Sequence, residues 1–267
     1  MKDLVITSRQ NTIVKYVRGL RDKRTRETAG VFVTEGVKAV SEGVTNGIYP
    51  EKIIISRHGE SQPWIKEILS RPDSPAEVVR VDDSVMQYMS ETEAPQGILA
   101  LFKMPGISLP DIRIRPSSVF VVVEGVQDPG NVGTIVRTAD AFGAHAVILT
   151  SGCADLYNAK TLRSTMGSVF HIPVVRDVDI SGLTAFLTDN GILTAVTSLD
   201  ETSRSLPEAD LPRPLAVVLG SETKGVSPEI CRIAGAKLKI PMEGLAQSLN
   251  VAVAAGIVLY EAFRQKL

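Results

Sequence analysis

The chain has few cysteines, few histidines, no excess of charge and no long apolar run, and each shortage removes a class of function. Among 267 residues there are two cysteines, Cys153 and Cys231. One pair cannot build a disulfide framework, and without a CxxC partner both read as small buried hydrophobes in a reducing compartment. His58, His145 and His171 stand apart, with no HExxH and no Cys/His cluster, so no metal is expected. Lys+Arg 29 against Asp+Glu 30 leaves a net charge of -1, so overall basicity does not announce a nucleic acid. No apolar run approaches the roughly 18–20 residues that span a bilayer, and the opening MKDLVITSRQ lacks the apolar region of a signal peptide. Secreted and membrane classes are therefore disfavoured, and a cytoplasmic location is expected. What is present is 44% hydrophobic residues, enough for one large domain or two modest ones without a covalent staple.

The even charge hides an asymmetry. Residues 2–26 carry Lys2, Arg9, Lys15, Arg18, Arg21, Lys23, Arg24 and Arg26 against Asp3 and Asp22, a local net of +6. Ile13, Val14, Val17 and Leu20 recur at helical spacing, so a helix with an apolar stripe and a basic outer face is expected. Strands are predicted over 31–33, 52–56, 78–81 and 97–102, with helices over 36–44, 63–69 and 84–89, an alternating β/α pattern. The breaker-rich segment MPGISLPDIRIRPSS then marks a boundary near residues 104–117. The second half alternates more cleanly. Apolar strands are predicted over 119–123, 146–149, 172–175, 193–196, 216–219 and 238–240, with helices over 132–142, 159–166, 182–189 and 228–234 and a final helix over 247–265. Near-continuous apolar strands separated by helices indicate a parallel sheet covered on both faces.

Three segments can carry chemistry. In EGVQDPGNVGTIVRTADAFG, an apolar strand ends at Val123, Asp128-Pro129-Gly130 turns the chain, and Asn131 is placed to cap the helix that follows. Such a turn lies at the carboxyl end of a parallel strand, where open α/β sheets bind ligands. Position 135 is Ile, so the dinucleotide pattern GxGxxG is absent and a nicotinamide-dependent oxidoreductase is disfavoured. In LGSETKGVSPEI, Glu222 stands in a glycine-bracketed loop that is no GxxxxGK[ST]. In KIPMEGLAQSLNVAVAAGIVLYEAF, a short strand leads to a loop after which Ser248 or Asn250 begins a long helix. Leu249, Val253, Ile257, Tyr260 and Phe263 form a stripe on it that reads either as core packing or as a dimer seam.

Together, GNVGTIVRTADAFGA, GSETKGV and IPMEGLAQSLNVAVA, in this order, resemble the three motifs of the SpoU/TrmH family of RNA ribose 2'-O-methyltransferases. The resemblance covers residues 119–265. Residues 1–102, with ITSRQNTIVKYV and GVFVTEGVKAV, are more loosely similar to the ribosomal-protein-like RNA-binding domain of rRNA-directed members. Position 252 is Ala where many members carry Ser.

The resemblance implies an RNA substrate-binding domain over 1–103, a linker over 104–117, and a catalytic domain over 118–267. The catalytic domain's parallel sheet would contain a deep trefoil knot, which topology rules alone would not suggest. It implies S-adenosyl-L-methionine as cofactor, held by Thr197, Ser198, Gly220, Glu222, Gly225, Ile240, Met242 and Leu249. It also implies a homodimer through the C-terminal domain, and a polar site made of Asn131, Arg137, Glu222, Ser248 and Asn250. Arg137 is assigned to the RNA phosphate and the reacting hydroxyl, Asn131 to holding Arg137 or the ribose, and Glu222 to orienting Asn131 or the nucleotide. Arg9, Arg18, Arg21, Lys23, Arg24 and Arg26 are assigned to RNA. The separate N-terminal domain favours ribosomal RNA. A tRNA target or a non-catalytic RNA-binding assembly factor stands as the alternative.

Overall fold

Two sets of apolar runs, one on either side of the breaker-rich segment, build two sheets. A computed structural model describes residues 5–70, 76–198, 200 and 202–267; Lys2 and Asp3 of the N-terminal charge cluster lie outside them. The chain proceeds through β1 (Val5–Ile6), α1 (Thr12–Gly19), α2 (Lys23–Ala29), β2 (Val31–Glu35), α3 (Val37–Thr45) and β3 (Lys52–Ser56). It continues with α4 (Arg57–Glu60), α5 (Pro63–Leu69), β4 (Glu77–Val81), α6 (Asp83–Met89) and β5 (Ile98–Lys103). Then come β6 (Val119–Glu124), α7 (Pro129–Ala141), β7 (Ala146–Thr150), α8 (Ala159–Thr165), β8 (Val174–Val178) and α9 (Ile180–Asp189). The chain ends with β9 (Leu193–Thr197), β10 (Arg204–Ser205), β11 (Leu215–Gly220), α10 (Pro228–Ile233), β12 (Ala236–Lys239) and α11 (Val251–Arg264).

One compact unit comprises the described residues up to Pro105 together with Tyr157–Phe170; the other comprises Gly106–Leu156 and His171–Leu267. In the first unit the strand order is β1-β4-β3-β5-β2, parallel from β1 to β3 and antiparallel where β5 joins β3 and β2. The alternating pattern read from the sequence therefore changes direction at its last strand. The expected single basic helix is two, because Asp22 caps α2 by accepting from the Thr25 amide and breaks the run after Leu20. Val14, Val17 and Leu20 still form one apolar stripe, buried against Val85, Met86 and Met89 of α6. Phe32 and Phe102 pack with two rings from the later segment, Tyr157 at 4.5 Å from Phe32 and Phe170 at 4.7 Å from Phe102.

In the second unit the strand order is β10-β12-β9-β11-β6-β7-β8, and every pairing is parallel. Leu215 through Leu219 and Val119 through Val123 are buried, as expected for strands covered on both faces. Ile107, Leu109, Ile112 and Ile114 of the breaker-rich segment pack against this core. The strand expected over 172–175 starts at Val174, since Pro173 has no N–H for the ladder and contributes its carbonyl to Val147. Likewise the last strand ends at Lys239, two residues before Pro241.

Register decides where the loops meet. Gly220 lies opposite Glu124, Val218 opposite Val196, and Leu238 opposite Thr197. The carboxyl ends of β12, β9, β11 and β6 therefore form one rim, on which the three motif loops emerge. Helix α11 packs on α7 and β11 beside it. Its buried face is Val251, Ala255, Val258, Leu259 and Ala262, whereas Val253, Ile257 and Tyr260 of the expected stripe are exposed. The stripe is thus not the core face of the helix.

Candidate active site

The rim encloses a cavity of about 420 Å³, within the roughly 300–1,000 Å³ span of small-molecule sites. All eight residues expected to hold a cofactor line it: Thr197, Ser198, Gly220, Glu222, Gly225, Ile240, Met242 and Leu249. Ser248 lines it as well. Four local hydrogen bonds hold the walls. Thr197 Oγ1 donates to the Val218 carbonyl at 3.3 Å, and the Ser198 amide donates to the Leu238 carbonyl at 2.9 Å. The loop after β11 closes on itself, with the Gly225 amide donating to the Ser221 carbonyl at 2.8 Å. A Cβ on Gly220 would lie 2.1 Å from the Gly225 carbonyl carbon, so this turn admits no side chain at position 220. The loop's far end is pinned by Glu124, whose Oε2 accepts from the Ser227 amide at 3.0 Å.

A directed chain of hydrogen bonds joins the three motifs at Glu222. Asn250 is the N-cap of α11, and its Oδ1 accepts from the amides of Ala252 at 2.9 Å and Val253 at 3.3 Å. Backbone amides only donate, so the Asn250 amide orientation is settled and its Nδ2 is the free donor. Nδ2 donates to Asn131 Oδ1 at 2.9 Å. Asn131 Nδ2 in turn donates to Glu222 Oε1 at 2.8 Å. Asn131 is not the helix cap read from the sequence. Asp128 takes that place, accepting from the Asn131 amide at 2.8 Å, with Pro129 at the first helical position. That frees the Asn131 side chain for Glu222.

Arg137 stands apart from this chain. It is exposed on α7, has no hydrogen bond or ion pair among the described residues, and does not line the cavity. Lys224, Val226, Cys231 and Leu238 do line it and went unnoticed in the sequence. Lys224 and Val226 lie inside the segment LGSETKGVSPEI, while Cys231 and Leu238 directly flank it and KIPM, so extending the segments by one residue finds the last two. Cys231 is therefore a cavity residue, half-buried like Cys153. Burial pushes the Cys153 thiol above its ordinary pKa, as fits a thiol donating to the Val123 carbonyl. Among the described residues, no group of three or more His, Cys, Asp or Glu could hold a metal ion, and no helix is long and apolar enough to cross a membrane.

The six basic residues assigned to RNA lie in the first unit and fare unequally. Arg26 is 4% exposed, with Nη1 donating to the carbonyls of Leu20 and Arg21, which removes it from the expected surface. Arg18 donates to the Tyr88 carbonyl, and Arg21 to those of Met89 and Ser90, closing the end of α6. Lys23 pairs with Glu27 at 3.6 Å. Arg24 is exposed without a partner among the described residues, and Arg9 lies over the Tyr88 ring.

Comparison with known proteins shows the family. Residues 118–260 match the SpoU rRNA Methylase family, and residues 11–100 match the MRM3-like substrate binding domain. The chain belongs to the SpoU rRNA methylase family. It is 34% identical to the 23S rRNA (guanosine(2553)-2'-O)-methyltransferase RlmP of Bacillus subtilis, over 96% of this chain and 97% of that protein. It is 32% identical to the 23S rRNA (uridine(2479)-2'-O)-methyltransferase of Streptomyces viridochromogenes, over 98% and 92%. The AdoMet-bound rRNA methyltransferase from Sinorhizobium meliloti superposes with a TM-score of 0.89 at 32% identity, covering 99% of this chain and 98% of that one.

Proposed function

We propose that the protein transfers a methyl group from S-adenosylmethionine to the 2'-hydroxyl of a ribose in ribosomal RNA. The observation that carries this reading is the chain Asn250–Asn131–Glu222 at the edge of the cavity. The relatives above support it. They are named for a guanosine and a uridine, so what they share is the ribose.

The cavity suits the cofactor's chemistry. Leu219, Ile240, Met242 and Leu249 offer apolar surface for a purine face, while Thr197, Ser198 and the Gly220–Gly225 backbone offer donors and acceptors for its edges. Glu222 adds a carboxylate, a favourable neighbour for a cation. When bound, the cofactor supplies an electrophilic methyl group on positively charged sulfur. The chain's own residues align the ribose, a contribution worth roughly 7–11 kcal/mol in favourable cases. Asn131, held at both ends by Glu222 and Asn250 and making no bond to Arg137, is placed to orient the sugar. Arg137 binds the backbone phosphate and polarises the hydroxyl electrostatically; a guanidinium stays charged in proteins and is no ordinary general base. Ser248 completes the polar wall.

In the same reading, the first unit binds the RNA substrate and the second forms the knotted catalytic domain of a cytoplasmic enzyme, with the segment expected as a linker over 104–117 packed from Ile107 onward on the second unit's core. The exposed Val253, Ile257 and Tyr260 on α11 support a homodimer through this domain. Sedimentation of Val253→Asp/Ile257→Asp checks it, with a wild-type monomer the contrary result. The activity itself is tested with unmodified ribosomal RNA and whole ribosomal subunits, labelled cofactor, and mapping of the modified sugar. Label on a base, or none on either substrate, overturns the reading.

A further inference from the structure

The N-terminal basic cluster divides according to what its cations do. Arg18, Arg21 and Arg26 are tied to main-chain carbonyls, and acidic partners screen the α2 region, Glu91 pairing with Arg21 at 3.5 Å and Glu27 with Lys23. The stretch from Val5 to Leu20 differs: it holds Arg9, Lys15 and Arg18 and no acidic residue. Arg9 and Lys15 are exposed and make no hydrogen bond or ion pair among the described residues. The Arg9 guanidinium lies 4.9 Å from the Tyr88 ring centroid, and that of Arg18, anchored on the Tyr88 carbonyl, lies 4.4 Å from it. Lys15 is one helical turn before Arg18, and its neighbour Tyr16 is 38% exposed.

Such an arrangement fits a sugar-phosphate chain with an unstacked base. An arginine laid on an aromatic ring keeps its N–H donors free while losing less side-chain entropy when it binds. A guanidinium presents a planar fork of donors to phosphate, lysine adds a point charge, and an exposed tyrosine ring takes a base by stacking.

We infer that Arg9, already assigned to RNA from the sequence, joins Lys15, Tyr16 and Tyr88 on the α1 edge of the first unit to form the surface that grips RNA, in place of the rest of the expected set, Arg18, Arg21, Lys23, Arg24 and Arg26. The inference rests on the RNA-directed activity proposed above.

The test uses the full chain and unmodified 23S ribosomal RNA transcribed in vitro, with Kd measured between about 50 and 200 mM salt. Arg9→Ala/Lys15→Ala is expected to raise Kd on the order of tenfold and to lower the slope of log K against log salt by roughly 0.7–0.9 for each phosphate no longer neutralised. Tyr88→Leu, which withdraws the ring beneath Arg9, reproduces part of that loss. Lys38→Ala/Lys66→Ala, equal in charge removed from the same unit, is the control, and thermal melts confirm that each variant is folded. An unchanged slope in Arg9→Ala/Lys15→Ala, or an equal loss in the control or in Lys23→Ala/Arg24→Ala, overturns the surface. Methyl transfer is read in parallel. Wild-type chain that binds RNA through Arg9 yet transfers no methyl keeps the surface and loses the activity. Transfer unimpaired in Arg9→Ala/Lys15→Ala at subsaturating RNA keeps the activity and loses the surface.

Discussion

Asn131 and Glu222, separated by 91 positions in sequence, meet at 2.8 Å with the amide as donor and the carboxylate as acceptor. Asn131→Ala and Glu222→Ala should each lower kcat on the order of 10²-fold, the first by removing a preorganised donor and the second by removing the carboxylate that holds it. Because the two act through one hydrogen bond, the double variant should lose less than the sum, with a coupling of about 0.5–3 kcal/mol. Glu222→Gln still offers an oxygen to Asn131 and should retain more activity than Glu222→Ala. Strict additivity in the cycle would show that this hydrogen bond has no part in turnover.

Arg137 is exposed and unpaired among the described residues. Arg137→Ala should therefore leave unfolding within about 0.5 kcal/mol of wild type. It should leave cofactor affinity, measured by calorimetry, nearly unchanged while abolishing methyl transfer. Turnover retained in the purified variant refutes its assignment to the reacting hydroxyl.

Gly220 has the Gly225 backbone where its Cβ would stand, at 2.1 Å. Gly220→Ala must push the loop open at a cost on the order of 1–3 kcal/mol, and because this loop forms one wall of the cavity, cofactor binding should weaken with it. Calorimetric titration with S-adenosylmethionine checks this, and wild-type affinity in a stable variant counts against the placement of the cofactor.

Acid should destabilise the chain in two stages. Burial, helped by Arg115, Arg213 and Lys266, lowers the His145 pKa, and its Nδ1 accepts from the Val119 amide at 3.2 Å. A folded pKa below the unfolded value of about 6.5 means that stability present above that pH is lost as pH falls through it toward the folded value. A second loss follows at lower pH. Glu261 and Asp200 are held down to about 2 by hydrogen bonds, chiefly from Arg264 and from the Thr202 backbone respectively. Their contribution is present above the ordinary carboxylate range and disappears as pH falls toward 2. Urea unfolding of His145→Gln should lack the first stage and keep the second.

Much of this was legible in the sequence, for identifiable reasons. The limits of β3 and α5 match their expected spans, because Ile53-Ile54-Ile55 is a run only a buried strand explains and Pro63 marks a helix start. The cavity walls were legible through the resemblance of the three motifs to the SpoU/TrmH family, while strand topology alone placed only the motif loops at the carboxyl ends of parallel strands. Direction was not: β5 pairs antiparallel with β2 and β3, and an apolar run carries no sign of its polarity. Nor does a count of charges reveal which arginines face inward. Arg26 and Arg24 look alike in sequence, yet one closes carbonyls in the interior and the other meets solvent. The cap at Asp128 displaced the one read at Asn131 because Asp-Pro starts the helix at Pro129, three residues before the expected start at Val132.

Tyr157–Phe170 joins the first unit from within the second half of the chain, setting Tyr157 against Phe32 and Phe170 against Phe102. The polypeptide thus passes between the two bodies three times, and a cut near residue 105 is no clean seam. A transplanted N-terminal half would arrive with its aromatic cluster half-built, and the recipient would be left with two rings and nothing to rest them on. Chimeras that exchange the first unit between relatives must carry this inserted strap along with the module it completes.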